Sequence, residues 1–141
     1  MACNEPTGAH ESMHEGNDSN GFSVELEGDG STIRVSGWGL WGPDLAQRVV
    51  EGLTEHARRA RRPHGLLADF SRLGPQGGEG QAAIRSIMLA ARGSEVAGAA
   101  MIVTNAITKL QVVRIAKENT LGRWTYHATE DAARTALGAL R

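Results

Sequence analysis

Apolar residues fall into two kinds of spacing along this chain, and the spacing changes at turn-forming residues. Phe22, Val24 and Leu26 alternate with Ser23, Glu25 and Glu27, and Ile33 and Val35 alternate with Arg34 and Ser36. A period of two sends one row inward and the other outward, so each run predicts a half-buried strand. The turn residues Gly28-Asp29-Gly30-Ser31 join them into an antiparallel hairpin. The pattern then becomes helical: Gly42-Pro43-Asp44 supplies a start, and Leu45, Val49, Leu53 and Ala57 follow on one face. That helix is expected to end before Pro63.

From there, strands and helices alternate. Gly65 to Phe70 is a nearly continuous apolar run, as expected of a strand covered on both faces. A loop from Gly74 to Gly80 leads to a helix carrying Ala83, Ile84, Ile87, Met88 and Ala91, with Gly93 as its stop. Val96 to Val103 reads as a second buried strand, with Thr104 or Asn105 capping a helix that runs to about Glu118. The apolar positions of that helix, Ile107, Leu110, Val113 and Ile115, spread beyond one face. Trp124-Thr125-Tyr126 is a short last strand. Thr129 caps a final helix with Glu130 and Asp131 in its first turn and Ala133, Leu137 and Leu140 in its buried stripe. The predicted class is α/β, in the order ββαβαβαβα: a mixed sheet with an N-terminal antiparallel hairpin, then parallel strands, covered by helices.

Residues 1–20 lack apolar periodicity and are expected to form a disordered tail, leaving residues 21–141 as one domain. His10 and His14 lie in that tail, which offers no rigid scaffold for a metal ion. The 141 residues are 40% hydrophobic and 22% charged with a formal net charge of -1, so no global field points to nucleic acid or an acidic membrane. The single cysteine, Cys3, permits no disulfide within the chain, which fits a reducing compartment. No apolar run approaches the ~18 residues that suggest a membrane span, and the start of the chain lacks the apolar centre of a secretory signal. A cytoplasmic location is the expectation.

The order of elements resembles the STAS domain of anti-sigma-factor antagonists and sulphate-transporter tails, and especially its SpoIIAA-like branch. Ala68-Asp69-Phe70-Ser71-Arg72-Leu73 looks like the family's central strand with its Asp-Leu-Ser ending. The strand Ala99 to Asn105, the helix from Ile107, and the closing Trp124-Thr125-Tyr126-His127-Ala128-Thr129-Glu130-Asp131-Ala132-Ala133 resemble its last elements. The resemblance covers roughly residues 22–140. It implies a non-catalytic module that works by binding a protein. In signalling members a serine in the loop after the central strand is phosphorylated by a partner kinase. The matching positions here are close to Gly77, Gly78 and Glu79, and no hydroxyl residue lies between Ser71 and Ser86. A phosphorylation switch of that kind is not expected. Glu79 supplies a fixed charge there, which also suits a helix start.

Binding is therefore expected at one of two alternative places. A protein partner, or a second copy of the chain, would meet Ile107, Leu110, Gln111 and Arg114 together with Gly77, Gly78 and Glu79. The alternative is an apolar small ligand, of the kind carried by the lipid-exchange domains that SpoIIAA-like proteins resemble, in a pocket formed by Trp38, Trp41 and Trp124. The glycine-rich loop matches neither the P-loop nor the dinucleotide fingerprint, so no cofactor is expected. Asp69, Ser71 and His64 or His127 contain the residue types of a hydrolase triad without its nucleophile elbow, so no enzyme is expected. Arg58, Arg59, Arg61 and Arg62 read as a solvated helix end, or as a phosphate contact.

Overall fold

The computed structural model describes residues 11–93 and 95–140. The elements are β1 (Glu11–Gly16), β2 (Gly21–Glu27), β3 (Thr32–Gly39), α1 (Pro43–Arg59), β4 (His64–Leu73), α2 (Gly78–Leu89), β5 (Val96–Ile102), α3 (Ala106–Glu118), β6 (Trp124–His127) and α4 (Glu130–Leu140). They build a mixed sheet in the spatial order β1-β2-β3-β4-β5-β6. β2 pairs antiparallel with β1 on one side and β3 on the other, and β3 to β6 are parallel.

Each parallel strand is added on the same side of its predecessor. Right-handed crossovers then place α1, α2 and α3 on one face of the sheet. Phe22, Val24, Ile33, Val35, Leu66, Phe70, Met101 and Trp124 meet those helices in the main core. α4 covers the other face only over β4 to β6, where Leu67, Ala100 and Ile102 meet Ala133 and Leu137. That division explains the sequence pattern: β4 and β5 are covered on both faces and read as continuous apolar runs, whereas β2 and β3 alternate because their second face is bare.

The structure adds a strand where a loose tail was expected. β1 pairs in register with β2, from Glu11↔Leu26 to Gly16↔Gly21. An edge strand needs little apolar surface. Met13 packs on the core beside Gly52, and Glu15 pairs with Arg48 of α1 at 2.8 Å. The connection to β2 is closed by Asn17, whose side chain accepts from the Ser19 and Asn20 amides. Cys3 and His10 lie outside the described residues, as does the Leu140 side chain.

Candidate functional site

All parallel strands exit at one end of the sheet, and the segments that follow them converge there. Their meeting point is Gln76, a buried polar residue in the loop between β4 and α2. Its side-chain oxygen accepts from the Trp41 amide at 2.9 Å, and its side-chain nitrogen donates to Gly39 O and Gly74 O, each at 2.9 Å. Its backbone amide donates to Gln111 Oε1 at 2.8 Å, and Gln111 Nε2 returns a bond to Gln76 O at 2.9 Å. The exits of β3 and β4 and the second turn of α3 are thus tied to one residue. A Cβ at Gly80 would overlap the Gln76 side chain, which explains a glycine inside the first turn of a helix. Sequence reasoning missed Gln76. Its one signal is Gly80, a residue with no helical reason to be there.

On this frame α3 turns an apolar stripe outward. Ile107 and Leu110 are 58% and 70% exposed, while Val112 and Ile115 on the opposite side are buried. Arg114 continues the outer stripe at helical spacing and donates to Gln81 Oε1 of α2. Asn105 caps the helix, accepting from the Ile107 and Thr108 amides at 3.0 Å. Gly77, Gly78 and Glu79, exposed at the start of α2, follow directly on Gln76. Leu40, 53% exposed on the loop after β3, is a further apolar group at this end that the sequence pattern did not single out. The residues expected to bind a partner therefore lie at one end of the molecule, with the Gln111 side chain turned inward onto the Gln76 backbone.

The bare half of the opposite face carries an ion network. Arg34 meets Asp69 at 2.5 Å and Glu130 at 2.9 Å. Arg134 holds Glu27 through two bonds of 2.9 and 2.8 Å and Glu130 at 2.8 Å. Hydrogen bonds from Arg34 and Arg134 hold the Glu130 carboxyl down at about 2. Asp69 also accepts from the Ser71 amide and hydroxyl at 3.1 and 2.7 Å, closing a local turn. The triad residue types do not assemble. His64 lies at the other end of β4, about 20 Å from Ser71 at strand rise, and the His127 ring meets Thr125 at 2.8 Å.

The three tryptophans do not share a pocket. Trp41 is buried edge-on against Phe70, 5.7 Å between ring centroids, and its indole donates to Gly21 O at 2.8 Å. Trp38 closes the other face of the same sheet end, between His14 and Arg72. Trp124 sits on β6, its indole donating to Met88 O at 2.9 Å, and it lines a groove to which neither of the others contributes. The β3 bulge and the depth of the Trp41 site separate rings that lie close in sequence. Arg58 and Arg59 pair with Glu55, Arg61 with Asp29, and Arg62 with Glu95, which makes the basic cluster a set of surface ion pairs. Among the described residues no helix is long and apolar enough to cross a membrane, and no group of metal-ligating side chains gathers.

No protein-family model and no curated protein matches the sequence. Solved structures do match the fold. An anti-sigma factor antagonist from Mycobacterium paratuberculosis is 17% identical with a TM-score of 0.61, over 92% of this chain and 94% of that one. An uncharacterised protein of the DUF3478 family from Shewanella loihica, described as having a SpoIIAA-like fold, is 13% identical with a TM-score of 0.56, over 96% of this chain and 99% of that one. The chain has a STAS-type, SpoIIAA-like fold. At these identities the likeness establishes the fold, and function has to be argued from the site.

Proposed function

We propose that this STAS-like chain is a non-catalytic protein-interaction module. Its docking surface is the strand-exit end, formed by Ile107, Leu110 and Arg114 on α3 and by Gly77, Gly78 and Glu79 at the start of α2. The observation that carries the reading is the pairing of two strongly exposed aliphatic side chains on α3 with a backbone locked beneath them by the reciprocal Gln76–Gln111 bonds. A rigid frame presenting an apolar patch lowers the ordering cost of association. Lys109 and Arg114 surround the patch with positive charge and orient a partner that carries acidic groups. The fold likeness to an anti-sigma factor antagonist supports a regulatory role of this kind. Gly77, Gly78 and Glu79 stand close to the positions where signalling members of the resembled family carry a phosphorylatable serine, and none of the three has a hydroxyl, so this surface is not switched by phosphorylation there.

Self-association through the same patch is the simplest version, and sedimentation velocity tests it. Val112 is unsuitable as a probe because it is fully buried. Leu110→Glu places a charge on the patch without entering the core. A dimer in the wild type that becomes a monomer in Leu110→Glu supports self-association. A dimer unchanged by the substitution removes this surface from the interface.

A further inference from the structure

At the far end of α3, roughly 20 Å away by helical rise, the chain contains a strained residue beside a hollow. α3 closes with Leu121 N–H donating to Ala116 O at 2.8 Å and Thr120 N–H to Lys117 O at 3.4 Å. The left-handed residue of such a closure is usually glycine. Here it is Thr120, with φ 56°, although Gly122 follows two positions later. A β-branched residue in that region is an outlier, and such strain collects where the surroundings build a site.

Thr120, Leu121, Gly122 and Trp124 form the common wall of two adjoining hollows. The inner one, about 200 Å³, is backed by Met88 and Ala91. The outer one, about 450 Å³, lies against Val113, Ala116 and Tyr126. A cavity of about 150 Å³ already admits a benzene ring. The floor is apolar, but the rim is cationic: Arg92 and Arg123 flank the inner hollow and Lys117 the outer. Arg123 is fixed by Ala91 O, Gly93 O and Val96 O at 2.8, 3.1 and 2.6 Å, so its charge is positioned but not neutralised. Among the described residues no carboxylate pairs with any of these cations, whereas Arg34 and Arg134 on the other face of the sheet each hold two. The nearest acidic residue along α3, Glu118, faces Arg114 at 4.0 Å.

We propose that this groove binds a small amphiphilic carboxylate, with its apolar body across Trp124 in the outer hollow and its carboxylate at Arg92 beside Arg123. The floor matches an acyl chain or ring, the unneutralised rim matches one negative charge, and the Thr120 closure shapes the wall between them. The site does not depend on the docking surface, which lies at the opposite end of the strands.

Octanoate, titrated into isotope-labelled full-length chain and followed by amide and indole chemical shifts, tests the site. Saturable shifts are expected at residues 120–126 and at the Trp124 indole. Octanol, equally apolar but neutral, should bind about tenfold more weakly, and so should octanoate to Arg92→Gln, since each comparison removes one charge-assisted contact. Inorganic phosphate should leave these signals in place. The proposal is overturned by an absence of saturable shifts at these residues. Equal binding of octanol, undiminished binding by the exposed-site variant Arg92→Gln, or reproduction of the shifts by phosphate alone also overturns it.

Discussion

Gln76 shows how one polar side chain organises a surface it does not form. Its side chain accepts from the Trp41 amide and donates to the Gly39 and Gly74 carbonyls, and an unpaired buried group costs more than a hydrogen bond contributes. Gln76→Ala is expected to lower unfolding stability by about 3 kcal/mol, measured by urea denaturation. Gly80→Ala should also destabilise, because its methyl group would occupy the space of the Gln76 amide. Wild-type stability in both variants would contradict the role given to this residue. Thr120→Gly should act in the other direction, raising stability by about 1 kcal/mol through relief of the left-handed backbone. None of these roles stands out in a hydropathy pattern, which registers where apolar groups recur and not which polar group they enclose. Leu110 and Val112 likewise look alike in sequence, yet one is 70% exposed and the other fully buried.

At the scale of elements, the long periodic segments were legible and the thin edge was not. The hairpin, the parallel strands and all four helices follow from spacing and capping residues, as do the Asn105 and Thr129 caps. β1 escaped because one inward methionine and an ion pair suffice for an edge strand that borrows its hydrogen bonds from β2. The attachment of α4 is both apolar and ionic, and the ionic part titrates. Glu130 is held at about 2, well below its ordinary 4.5, by hydrogen bonds from Arg34 and Arg134. The unfolded chain therefore takes up that proton first. The contribution is complete above pH 4.5 and is lost as pH falls towards 2. His64, at the start of β4, is depressed below 6.5 by burial and by the nearby Arg62 charge, against the pull of Glu95. A depressed histidine also binds its proton better when unfolded, so stability is full above pH 6.5 and declines below it. Tm is expected to be flat from pH 6.5 up to the tyrosine range, where buried Tyr126 is raised above its ordinary 10 and the unfolded chain ionises first, and to fall in two stages with acid. His64→Leu, which also removes an unpaired buried nitrogen, should abolish the first stage. A wild-type profile that stays flat into the carboxylate range would contradict this assignment.

For the whole molecule, winding in a single direction is the decisive fact. It gathers three crossover helices on one face, leaves half of the other face bare, and brings every exit of the parallel strands to one end. That end carries the exposed aliphatic groups Leu40, Ile107 and Leu110, and it is where we propose that a protein binds. Quantified affinity capture tests this most directly, using the wild type, the double variant Ile107→Glu/Leu110→Glu, and the control Ser23→Glu on the bare face of β2. A protein, either a second copy of this chain or another, is expected to be retained by wild type and control and lost from the double variant. Equal retention by all three, or retention by none, would contradict it.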